Sequence, residues 1–147
     1  MAFMMFEHAD GQPVLELTDE QSWHLLENTK HGRLVVSVAG EPDIFPVNYV
    51  TAERKIYLRT APGNKLAQLT INSTVLFEAD GIVSDEAWSV VLRGTARVLN
   101  TSAELEAVES LGLKTWVPTL KDFYVEIEPK SVSGRHFVFG EQPEREI

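Results

Sequence analysis

With 147 residues the chain has the length of one domain, large enough to bury a single core. Its formal charge of −9 disfavours a nucleic-acid face, which needs a basic field, and the lack of cysteine excludes disulfides, thiolate nucleophiles and iron–sulfur clusters. No run reaches the roughly 18 apolar residues of a membrane helix, and the start, MAFMMFEHADG, lacks a basic leader, so a cytoplasmic protein with no membrane partner is expected.

In chain order, residues 1–12 read as a flexible N-terminal tail. Thr18-Asp19-Glu20-Gln21 then forms a capping box with acidic residues in the first turn. Trp23, Leu25 and Leu26 supply the apolar stripe of that helix, and Lys30-His31-Gly32 ends it. Beyond it the period falls to two. Leu34, Val36 and Val38 share one face, and Gly40-Glu41-Pro42-Asp43 reads as a turn. A second strand over residues 44–51 is interrupted by Pro46, which suggests an edge or a bulge. The turn at Glu53-Arg54-Lys55 leads to a third strand over 56–60. Hairpin-length connections pair these three antiparallel.

A short helix is expected over 65–71, then strands over 75–79 and 88–99, the latter bent at Gly94. Thr101-Ser102-Ala103-Glu104 is a second capping box, and Leu105, Val108 and Leu111 make its helix stripe. Strands over 123–128 and 132–139 follow, and residues 140–147 read as a C-terminal tail. The sum is a single domain over 1–147, mainly β with inserted helices. Closing such a sheet removes its edges, so a six- to seven-stranded antiparallel Greek-key barrel is expected.

Most catalytic signatures are missing. The four histidines, His8, His24, His31 and His136, show no metal-ligand spacing, and His136 reads as a satisfied barrel histidine. No GxSxG, GxGxxG or Walker loop occurs. Glu126 and Glu128, at alternate strand positions, read as a solvated outer face. What remains is the stretch IYLRTAPGNKLAQL from Ile56. It brings Arg59, Thr60 and Lys65 to the point where a strand hands over to a helix start. A guanidinium fork, a hydroxyl, an ammonium and free backbone N–H groups at one place suit a phosphate monoester. Asn48 and Ser89 sit within apolar strands; they either complete hydrogen bonds inside the barrel or face a planar polar ligand.

These segments, in this order, resemble the pyridoxamine 5′-phosphate oxidase-like flavin-binding split-barrel family, especially its short, nitroimidazole-resistance-like members. The resemblance runs from Gly32-Arg33-Leu34 through Pro46-Val47-Asn48-Tyr49, residues 56–60, Gly63-Asn64-Lys65-Leu66 and residues 90–94 to Gly134-Arg135. It implies a split barrel that binds FMN, as a homodimer with the cofactor between subunits. Arg59, Thr60 and Lys65 match the phosphate-holding positions. Pro46, Val47, Asn48 and Tyr49 match the strand along the isoalloxazine. Ser89 stands where the oxidase has a flavin-contacting Gln, and Trp88 beside it either walls the flavin or packs in the core. The oxidase's substrate-binding segment has no counterpart, so pyridoxine-phosphate oxidation is not implied. The expected activity is hydride transfer from reduced nicotinamide through the flavin to a small-molecule substrate. A deazaflavin-dependent reductase, a haem-binding relative and a non-catalytic flavin module are the alternatives. A flank bearing Phe77, Trp88 and Trp116 is expected to be covered by the second subunit.

Overall fold

The computed structural model describes residues 5–9, 11–113 and 123–144. Among the described residues ten elements follow one another: β1 (Val14–Leu17), α1 (Asp19–Glu27), β2 (His31–Val38), β3 (Glu41–Ala52), β4 (Lys55–Thr60), α2 (Asn64–Ile71), β5 (Thr74–Val83), β6 (Glu86–Val98), α3 (Ser102–Glu109) and β7 (Phe123–Val138). The strands pair antiparallel in the order β1-β7-β4-β3-β2-β5-β6, and a further β6–β7 pairing closes the ring. This is the mainly β barrel expected from the period-two stretches.

The local chemistry accounts for the turns. Ala39 and Gly40 both take positive φ (52° and 79°), as do Glu53 and Arg54 (50° and 56°). Two consecutive residues of that kind match the right-handed twist of a two-residue hairpin. The first turn therefore lies ahead of the expected Gly40–Asp43, and β3 begins at Glu41. At α1, Thr18 Oγ1 accepts from Gln21 N–H at 3.2 Å while Thr18 N–H donates to Gln21 Oε1 at 2.9 Å. That closes the capping box in both directions. At α3 the box is half formed: Glu104 N–H donates to Thr101 Oγ1, but the Glu104 carboxylate turns to Asn100 N–H and Arg97.

The inward faces of the strands pack Leu34, Val36, Tyr49, Ile56, Leu58, Phe77, Val90, Leu92, Val125 and Ile127 into the main core, to which α1 adds Trp23, Leu25 and Leu26. A second cluster, of Leu99, Val108 and Tyr124, forms where α3 covers the outside of β4 and β7. Two expectations change here. Phe77 and Trp88 lie inside the barrel, not on a flank awaiting a second subunit, and Trp116 falls outside the described residues. Glu126 is 8% exposed, because the α3 cluster covers its strand face; only Glu128 is solvated. The two expected C-terminal strands are one, β7, which pairs with β6 along its length through a register shift at Arg93/Gly94. Gly94 thus stands at the irregularity its position suggested.

Candidate functional site

The place to look for a site is where the barrel comes apart. β3 pairs with β2 from Glu41 to Asn48, and with β4 only from Tyr49 to Ala52. β4 in turn carries Arg59 and Thr60 beyond its last β3 partner, Leu58, and pairs them with β7. Along residues 41–48 the side of β3 turned away from β2 therefore has no strand beside it among the described residues. Pro46, which has no N–H to give, sits on this stretch, as an edge position permits. The gap between β3 and β4 is the split of the barrel, and the turn into α2 lies next to it.

α2 begins with donors to spare. Its N-cap, Gly63, takes φ +157° and supplies no side-chain cap, and its first turn holds no acidic residue. A side chain at Gly63 would be strained there. The loop of residues 61–63 thus joins Arg59, near the end of β4, to Lys65 and the first N–H groups of α2. Lys65 Nζ lies 5.7 Å from the centre of the Phe45 ring, and Arg59 Cζ lies 5.3 Å from that of Tyr124. The rings help to orient both cations, as cation–π contacts do. Such a donor set suits a doubly charged phosphate.

Strand alternation sorts the remaining positions. Arg59, Pro46, Asn48 and Ser89 belong to the outer face, and Val47, Tyr49, Thr60 and Trp88 to the inner. Tyr49 donates its O–H to the Leu26 carbonyl at 2.7 Å and meets Phe77 edge-on. Burial raises its pKa well above the usual phenol value. Thr60 Oγ1 donates to the Ala61 carbonyl at 3.2 Å. Trp88 is 6% exposed and its indole packs against Gly81, where a Cβ would lie 2.5 Å from Nε1. At these four positions the outer wall is offered backbone, not side chain. Ser89 stands between Asp80 and Arg135 in the strand register.

The outer wall also carries a cluster that the sequence reading missed. Arg33 Nη1 donates to both oxygens of Glu78, at 3.2 and 3.1 Å, and to Asp80 Oδ2 at 2.9 Å. Burial pushes Glu78 up to about 7, assisted by its hydrogen bond with Asp80 and by that neighbour's charge. Asp80 moves down, chiefly through the same hydrogen bond. One proton held between two carboxyls beside a guanidinium is the simplest description. The signal available was period-two spacing of Glu78 and Asp80 in a strand, with Arg33 two residues into its neighbour. Near α3, Tyr57 O–H donates to Glu126 Oε2 at 3.0 Å. Burial first, then this carboxylate, pushes Tyr57 up to about 12.

The same arrangement of chain is found in known proteins. A crystal structure of a Corynebacterium glutamicum chain, described as a candidate pyridoxamine 5′-phosphate oxidase, superposes with a TM-score of 0.83 at 42% identity, covering 91% of this chain and 100% of that one. The FAD-binding protein of Mycobacterium smegmatis superposes with a TM-score of 0.73 at 37% identity, covering 84% of this chain and 98% of that one. An uncharacterised Mycobacterium tuberculosis protein is 40% identical over 92 residues, 63% of this chain and 84% of its own length. The sequence profile of the pyridoxamine 5′-phosphate oxidase family matches residues 18–136. The chain belongs to the pyridoxamine 5′-phosphate oxidase family.

Proposed function

We propose that this protein is a flavin-dependent oxidoreductase that binds FMN in the split between β3 and β4. The observation that carries the reading is the side of β3 at residues 41–47 that no described strand pairs, with Lys65 of the uncapped α2 against its Phe45 and Arg59 near the end of β4. In this reading Arg59, Lys65 and the α2 N–H groups hold the phosphate, with Thr60 contributing through its backbone. Asn48 and the free backbone of β3 meet the polar edge of the ring, and Pro46, Val47 and Tyr49 shape the strand behind it. Ser89 lies further round the same wall, and Trp88 stiffens it from inside. FMN, when bound, supplies hydride acceptance from reduced nicotinamide and donation to a small acceptor. The chain's own part is binding, orientation and the electrostatics of the wall, which explains the lack of a nucleophile or metal motif. The protein acts as a homodimer with the cofactor between subunits.

Titration with FMN and with FAD, followed by flavin fluorescence, tests the binding. Wild-type protein takes up FMN, and Arg59→Ala with Lys65→Ala weakens uptake about a hundredfold or more, since hydrogen bonds to charged groups contribute about 1.5–3 kcal/mol each. Unchanged affinity in the double variant contradicts the phosphate assignment, and preference for FAD corrects the cofactor. The visible spectrum of the purified protein separates flavin from deazaflavin and haem. Consumption of reduced nicotinamide above the free-flavin background separates an enzyme from a carrier.

A further inference from the structure

A cavity of about 470 Å³ at the C-terminal end of α2 has no part in the flavin reading. The strand register sets out its lining. Val35 of β2 stands beside Leu76 of β5, Leu76 beside Arg93 of β6, and Arg93 beside Ser131 of β7. Ile44 of β3 opens the same row on the other side of Val35, so Arg93 lies at the end remote from the split. The β6–β7 ladder pairs Arg93 with Ser131 and Gly94 with Pro129, which leaves Lys130 as the extra residue of a bulge. A bulge re-aims the side chain it carries, and Lys130 lines the cavity together with Arg93.

The charge around this cavity runs against that of the chain. The sequence holds 22 acidic and 13 basic residues, yet among the described residues no carboxylate lines the cavity. Arg33 of β2 and Arg97 of β6 are each held by two carboxylates. Arg93 and Lys130 are exposed, and neither side chain makes an ion pair or hydrogen bond among the described residues. On the opposite side the polar groups are committed to the frame. Asn72 Nδ2 donates to the Ser37 carbonyl at 2.8 Å, and Asn72 Oδ1 accepts from Thr74 N–H at 3.1 Å. Pro42, Val35 and Leu76 leave apolar surface there. Asn72 is also the C-cap of α2, so the negative pole of that helix faces this side.

An occupant that satisfies this lining carries its charge on the β6–β7 side and an apolar body on the β2–β5 side. A phosphate dianion fits less well, because no helix N-terminus meets it here and the α2 dipole opposes a second negative charge. We propose that the cavity is a binding site for a small monocarboxylate with an apolar body. Arg93 presents its guanidinium fork to the carboxylate, and Lys130 adds a second positive charge. Val35 and Leu76 take the body out of water. The volume is in the ordinary range for small-molecule pockets. Nothing in this site depends on a bound flavin: the split meets the N-terminal end of α2 and the cavity its C-terminal end, roughly 12 Å apart along the helix.

Hexanoate tests the site, with hexanamide as its uncharged counterpart and inorganic phosphate as the bare anion. Each is titrated into the full chain and followed by amide and methyl NMR. Hexanoate should shift the signals of Val35, Leu76, Arg93 and Lys130 and saturate with a Kd below about 1 mM. Hexanamide and phosphate should each bind at least about tenfold more weakly. Arg93→Gln with Lys130→Gln should weaken hexanoate at least about tenfold, while the Val35 and Leu76 methyl signals of the free protein stay in place and show the cavity intact. Absence of saturable shifts at these residues overturns the proposal, as do equal affinities for hexanoate and hexanamide or tighter binding of phosphate. Undiminished hexanoate binding in the double variant overturns it too. So does a second copy as the occupant, in which case the Val35 and Leu76 methyl signals move on dilution of the protein and ignore hexanoate.

Discussion

Glu78 shows how one side chain couples this wall to pH. Folding raises its pKa, first by burial and then through Asp80, to about 7. A carboxyl that binds its proton more tightly when folded stabilises the fold fully below the ordinary Glu range. That contribution is lost as pH climbs from there to about 7. Asp80 has the opposite sign, and its effect falls at the acid end, so the two windows separate. Glu78→Gln keeps a hydrogen-bonding amide and removes the titration. Urea unfolding at a series of pH values should therefore show the wild type losing stability relative to Glu78→Gln between about pH 4.5 and 7, by about 1 kcal/mol or less after solvent screening. Parallel curves would mean that no proton is shared. At this scale the sequence was partly legible. Arg59 and Lys65 stood out because two cations beside a Gly-containing loop have a chemical meaning without tertiary context. Glu78 did not, because a strand carboxylate beside Asp80 on one strand becomes unusual only when Arg33 is brought across from it.

Elements were legible where a local rule governs them and hidden where packing does. The Thr18–Gln21 box and the alternation of β2 and β4 are local, and both appear in the structure. β1 has only four residues, too few for a period to register, and is held by β7. β7 read as two strands because Pro129 breaks its pattern. The register shift at Arg93/Gly94 absorbs that proline, which lies opposite Gly94, and the strand continues. Glu126 read as solvated because nothing local announces that α3 lies over it. Close approach of elements is likewise invisible until the sheet is assembled. Gly32 of β2 runs so near β5 that a Cβ there would stand 2.5 Å from the Glu78 carbonyl oxygen and 2.7 Å from the Phe77 ring. Backbone cannot step aside as a surface side chain can. Gly32→Ala should therefore destabilise the protein by about 1–3 kcal/mol in thermal or urea unfolding, although alanine is a small change elsewhere. A stability equal to wild type would mean that β2 and β5 separate freely.

For the molecule as a whole, what remains uncovered is the outer wall. Ile44, Val35 and Leu76 stand side by side across β3, β2 and β5. Ile44 is 60% exposed and the other two are half-buried, with Ile71 of α2 exposed as well. An apolar row on a sheet face next to the split is better placed for a second copy than Phe77 and Trp88, which the barrel consumes itself. The proposed dimer would bury this row against its symmetry mate and close the open side of the split, so that assembly and cofactor uptake depend on each other. Leu76→Glu tests that dependence, because a carboxylate brought against its own symmetry copy is repelled and desolvated while the isolated barrel keeps it in water. Light scattering should show the wild type as a dimer and Leu76→Glu as a folded monomer. FMN affinity should fall at least tenfold in the variant, about 1.4 kcal/mol, with Arg59 and Lys65 untouched. A wild-type monomer that binds FMN with full affinity would sink the shared site. A monomeric variant with undiminished affinity would place the whole cofactor site within one barrel.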